Sequence, residues 1–283
     1  MTTALERQDG IGSNDGARQR AKGAATVAFA RRLDRTRLAD LAQSGALRVL
    51  FPRPEPGAPP TAVLANIGGG IAGGDQLTVE IRWGAGCEAI VTTQAAEKVY
   101  RALDVAAEVA TRLEVGEGAL GCWLPQETIL FDSVSLERRL EADVAPDATL
   151  IACESVVFGR TARNETVARG RLIDRWRLRR GGKLVFADTL ALDGAVADTL
   201  ARPAIGGGAT AVATLVMIAP DAEARLDGVR AALESARSEA GVSAFDGCLV
   251  ARFVAREAPS LRRDLALCLE HLTGRPLPRV FAF

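Results

Sequence analysis

The chain has 283 residues, 48% of them hydrophobic, and its 35 basic residues balance 35 acidic ones. That length can bury one large core or two ordinary ones, and the charge balance excludes a global electrostatic footprint for nucleic acid or an anionic membrane. Five cysteines without a CxxC pair (Cys87, Cys122, Cys153, Cys248, Cys268) point to reduced thiols in a cytosolic protein rather than a disulfide framework.

In chain order, residues 1–23 are polar, lack the apolar core of a secretory signal and read as a disordered tail. Residues 24–283 read as a single domain. From Ala24 to Ile218 short β-branched stretches alternate in part with charge: Leu77–Trp83, Glu88–Gln94, Val109–Val115, Ser135–Val144 and Arg171–Leu178. Such alternation predicts strands with one buried face, and Gly181-Gly182 predicts a hairpin turn. The longest apolar run, Ala209 to Pro220, is too short for a bilayer of roughly 30 Å, so a soluble protein is expected. Two helices are predicted near the C-terminus. One spans Asp221–Gly241 after Pro220; the other spans Ser260–Gly274, with Ser260 as N-cap.

A weak repeat runs through the strands. Ala89–Glu97, Ala119–Glu127 and Ala148–Glu154 each follow an alternating strand and a turn, and their first alanines lie 30 and 29 residues apart. Each unit ends in a glutamate. A period near 30 fits coils stacked as a β-solenoid, although an antiparallel sandwich predicts similar spacing.

Gly68-Gly69-Gly70-Ile71-Ala72-Gly73-Gly74-Asp75 is the most unusual segment. A phosphate-binding loop would need a lysine and a following helix, and here the strand Leu77–Trp83 follows instead. The glycines therefore mark a tight connection, one that could also present the Asp75 carboxylate to a narrow space. Thr92–Ala102 gathers Gln94, Glu97, Lys98, Tyr100 and Arg101 at the end of an apolar strand. Trp123 and Phe131, beside Glu127 and Asp132, suit either a core corner or a partner surface. Glu154 follows Leu150-Ile151-Ala152-Cys153; if buried it needs a cation, and Arg160 or Arg163 would serve. The one histidine, His271, sits in the last turn of the final helix, where a cation suits the helix dipole.

Taken together, GGGIAGGDQL, TTQAAEKVYRA, WLPQETILFD, CESVVFGR and LPRVFAF, in that order from about residue 24 onward, resemble the urease accessory protein family UreD, called UreH in some organisms. The resemblance implies a mainly β, helically stacked fold with about two C-terminal helices. It implies a non-enzyme, with no tightly bound cofactor, that joins apo-urease to UreF and through it to the GTPase UreG. Nickel would pass through an internal passage to the urease site, where carboxylates would act as weak transient oxygen ligands. Asp75 resembles the family's aspartate of that passage; Glu97, Glu127, Glu154 and Asp174 are further candidates. Trp123, Phe131, Val280, Phe281 and Phe283 are candidate partner contacts. The alternative is a β-rich protein-binding scaffold with no metal path. A small-molecule enzyme would instead need a pocket of perturbed titratable groups.

Overall fold

The computed structural model describes residues 20–160, 163 and 165–281. Strands β1 (Lys22–Arg32) and β2 (Arg35–Gly45) form a hairpin, so the first strand begins two residues before the expected domain boundary. There follow β3 (Leu47–Leu50), β4 (Thr61–Asn66), β5 (Gln76–Trp83), β6 (Glu88–Thr93), β7 (Glu97–Val99), β8 (Ala107–Val115), β9 (Leu120–Leu124), β10 (Thr128–Leu130), β11 (Val134–Val144) and β12 (Thr149–Phe158). The chain then forms β13 (Gly170–Arg180), β14 (Lys183–Gly194), α1 (Val196–Ala201), β15 (Ala211–Ile218), α2 (Leu226–Ala232), β16 (Glu239–Phe245), β17 (Cys248–Ala255) and α3 (Ala258–Thr273).

These strands build two sheets. The first has the order β14-β13-β11-β8-β5-β1-β2, and the second β16-β17-β15-β12-β9-β6-β4-β3, with β7 and β10 paired beside β12. Successive coils contribute one strand to each sheet: β5 then β6, β8 then β9, β11 then β12. All neighbours within those runs are parallel. The stacked-coil expectation therefore holds, and a simple antiparallel sandwich does not. The repeat register is close to the sequence period: Leu120 lies opposite both Glu88 and Thr149. The second interval matches, and the first is longer by two residues.

Environment explains why the two sheets read differently. The outer face of the first sheet meets water, so β5 alternates, with Leu77, Val79, Ile81 and Trp83 inward and Thr78, Glu80 and Arg82 outward. The second sheet is covered on both faces, and β12 is buried from Leu150 to Phe158. Strands covered on both faces read as nearly continuous apolar runs. One core fills the space between the sheets. A second lies between the second sheet and α2, α3 and the tail, and includes Leu261, Leu265, Leu269 and Phe281.

The helical expectations need correction. Asp221–Gly241 is not one helix: a 3-10 turn and α2 end by Ala232, and Glu239–Phe245 is strand β16, half-exposed along an edge. The short α1 is an addition. Helix α3 starts at Ala258 with Glu257, not Ser260, as N-cap, and ends at Gly274 in the left-handed region, φ 66°. No helix among the described residues is long and apolar enough to cross a membrane. Of the expected tail, residues 1–19 lie outside the described residues, as does Phe283.

Candidate functional site

What approaches the glycine loop is the chain itself. A Cβ on Gly70 (φ 139°) would sit 2.5 Å from the Tyr100 ring and 2.8 Å from the Lys98 carbonyl oxygen, and one on Gly73 would sit 2.7 Å from Ala102 Cβ. Tyr100 donates its hydroxyl to the Gly69 carbonyl at 2.8 Å. Residues 98–105 therefore lie directly on this loop, and only glycine leaves room for them. Gly68 stays beside Asn66, whose Oδ1 accepts the Gly68 N–H at 2.9 Å.

Asp75 serves the same packing. Its two carboxylate oxygens accept the N–H groups of Ala21 and Ala72, each at 2.8 Å, which ties the loop to the start of β1. It is buried and lies outside the lining of the internal cavity.

That cavity, about 250 Å³, opens between the two sheets beside the loop. Apolar side chains such as Leu64, Leu77 and Leu136 form much of its wall, and the polar lining includes Asn66, Glu97, Gln126, Thr128, Arg138 and Glu154. Glu97, on β7, accepts from Asn66 Nδ2 at 3.2 Å to each oxygen. Burial pushes its carboxyl above the usual range, and the Asn66 hydrogen bond opposes this only in part. Gln126 Nε2 is buried with no hydrogen-bond partner.

At the inner wall stands a buried triad. Arg138 on β11 lies in Cα register with Asp174 on β13 and faces Glu154 on β12 across the core. Its Nη2 is 2.5 Å from Asp174 Oδ2, and its Nη1 donates to Thr128 Oγ1 at 3.0 Å. Nε lies 2.7 Å from Glu154 Oε2 without hydrogen-bond alignment, an ion pair only. Trp123 Nε1 donates to Glu154 Oε1 at 3.3 Å. Burial pushes Glu154 up to about 7 despite the Arg138 charge. Desolvation works against the guanidinium, but Asp174 and Glu154 more than offset it and hold Arg138 firmly protonated. The expected partners of Glu154 are thus corrected. Arg160 pairs with Glu165 and stacks 4.2 Å over the Phe131 ring, and Arg163 is exposed.

The remaining candidates divide by position. Glu127 points away from the cavity to Arg262 on α3, at 3.3 Å. Glu97, Glu127 and Glu154, aligned as repeat ends in the sequence, are therefore not one stack: Thr128 pairs with Glu97 and with Val156. Trp123 is only 4% exposed and belongs to the core, not to a surface. Phe131 is half-buried edge-on to Tyr100. Val280 and the buried Phe281 pack on the second core. His271 is exposed in the last turn of α3 and lies close against Gly228 of α2. Among the described residues no three His, Cys, Asp or Glu side chains are grouped to hold a metal.

By its build the chain is a two-sheet β-solenoid with a largely apolar cavity between its sheets that also carries charged groups. A family model described as UreD urease accessory protein matches residues 21–281. The urease accessory protein UreD of Methylobacterium sp. is 54% identical over 251 residues, covering 87% of this chain and 89% of that protein. That of Azorhizobium caulinodans is 46% identical, covering 94% and 97%. Urease accessory protein UreD 1 of a Bradyrhizobium species is 48% identical, covering 93% and 94%. The chain belongs to the UreD family of urease accessory proteins, and its place is in urease maturation.

Proposed function

We propose that this chain is a non-catalytic cytoplasmic scaffold that joins apo-urease to UreF and, through UreF, to UreG. We further propose that its internal cavity is part of the route along which Ni²⁺, the cargo, moves to the urease site during GTP-dependent insertion. The observation that carries the reading is the cavity with two carboxylates, the half-buried Glu97 and the buried Glu154, on its wall. Hard oxygen donors without a closed cage hold a divalent cation weakly enough to pass it on. Asp174, joined to Glu154 through Arg138, extends the donor line toward a second, smaller cleft. Asp75 and Glu127 have other occupations and are left out of the route.

The test is co-expression of Glu97→Gln or Glu154→Gln with urease and the other accessory proteins. Pull-down, nickel per active site and urea hydrolysis are then measured. Intact assembly with low nickel is expected: a barrier raised by about 1.4 kcal/mol slows transfer roughly tenfold. Normal nickel in both variants would leave a scaffold with no metal path.

A further inference from the structure

Arg138 is out of place by sequence pattern. The inward row of β11 is Val134, Leu136, Arg138, Leu140, Ala142 and Val144, apolar except for this one arginine. Asp174 interrupts the inward row of β13, between Leu172 and Trp176, in the same way. Charged groups survive at such positions only when paired, and here the pairing is incomplete. One guanidinium faces two carboxylates, and Asp174 Oδ1, in a residue 6% exposed, has no hydrogen-bond partner.

The location of the side chain matters as much as its charge. Arg138 lines the internal cavity, and it also lines the small cleft formed with Asp174, Trp176, Asp188 and Thr214. A third cleft, on the first sheet beside Glu137 and Arg175, ends against it too. Arg138 thus borders all three spaces, and its guanidinium stands between Glu154, on the side of the internal cavity, and Asp174, on the side of the small cleft.

We propose that Arg138 is a tethered cation that closes the passage, occupying between Glu154 and Asp174 the position a divalent metal ion takes in transit. The proposal rests on reading the cavity as a cation route. A divalent ion between the same two carboxylates neutralises both, where the guanidinium neutralises one. The ion therefore balances the second carboxylate that the guanidinium leaves uncompensated, and the adjoining cavity of about 250 Å³ gives the displaced arginine somewhere to go. Among the Arg138 contacts outside the two carboxylates is the neutral hydroxyl of Thr128. The arrangement keeps the two carboxylates from becoming a trap: the arginine returns and expels the ion.

The prediction is that removing the tethered charge turns the passage into a binding site. Full-length wild type, Arg138→Gln, Arg138→Lys and the double variant Arg138→Gln/Asp174→Asn are compared for Ni²⁺ binding by equilibrium dialysis and for melting with and without Ni²⁺. Arg138→Gln should bind one equivalent at least tenfold more tightly than wild type, and Ni²⁺ should raise its Tm while leaving wild type unmoved. The double variant should lose that binding. If Arg138→Gln is insoluble, Ni²⁺ in the growth medium should restore it, and Arg138→Lys should show the intermediate affinity. Binding no tighter than wild type in either single variant, or equal binding in the double variant, overturns the gate. Low nickel in Glu97→Gln urease alongside such a failure keeps the route and removes only the gate. Normal nickel in both Glu97→Gln and Glu154→Gln removes the route itself.

Discussion

At Gly70 the backbone has φ 139° and the Tyr100 ring lies where a Cβ would go. Gly70→Ala meets both strain and overlap, and should destabilise the protein by about 1–3 kcal/mol. Gly69→Ala, at φ 79° but with open space around the added Cβ, should cost about 1 kcal/mol. Urea denaturation of the two variants checks the order; equal midpoints would mean that Tyr100 does not lie on the loop in solution. The glycine run announced a close approach in the sequence, but not the approaching segment, because that contact joins residues some thirty positions apart. At Asp75 the sequence left two uses open for a related reason. A carboxylate after bare backbone can face an open space or accept that backbone's own N–H groups, and the sequence is the same in both cases. Arg138 was legible and overlooked. It falls in phase with Leu136 and Leu140, and phase, not nearness to Glu154 along the chain, identifies the partner of a buried charge in a parallel sheet.

Elements were readable where water reaches one face. β5, β8, β11 and β13 announced themselves by alternation because their outer side chains form an exposed charge ladder, such as Arg82 to Glu114 and Arg112 to Glu141. Each exposed pair contributes about 0–1 kcal/mol, so the ladder sets the pattern more than the stability. β16 was hidden because Glu239–Phe245 continues a charged, alanine-rich segment that also satisfies a helical period. Of the C-terminal tail, where Val280, Phe281 and Phe283 are candidate partner contacts, the described part packs inward like a clasp. Arg262 on α3 contacts Glu127 and donates to the Val280 carbonyl at 3.1 Å, while Phe281 fills the second core. Deleting Leu277–Phe283 should therefore abolish soluble protein. Arg279→Glu, which breaks only an exposed contact to Glu55, should leave Tm within about a degree or two, its pair contributing 0–1 kcal/mol. A soluble, normally melting truncation would return the tail to the role of a docking segment.

At the scale of the molecule, the two cores share one sheet. Along β12, Leu150, Ala152 and Val156 face the first core, and Ile151, Cys153 and Val157 face the second. β17 divides in the same way, with Cys248 and Val250 on one side and Leu249 and Ala251 on the other. Loss of either layer strips one face from these strands, so the layers should unfold together rather than coil by coil, the alternative open to stacked repeats. The cysteines report on this directly. All five are buried and free, with Cys87 in the first core and Cys122, Cys153 and Cys268 in the second. Burial pushes the Cys122 and Cys268 thiols up to about 12, so near pH 8 the native protein presents almost no thiolate to an alkylating reagent. A brief iodoacetamide pulse across a urea series, read by peptide mass spectrometry, should leave every thiol unmodified in the native range. Cys87 and Cys268 should then become reactive at one common midpoint. Labelling of Cys268 at lower urea than Cys87 would show that the helical layer opens on its own, and that the shared sheet does not bind the two cores into one cooperative unit.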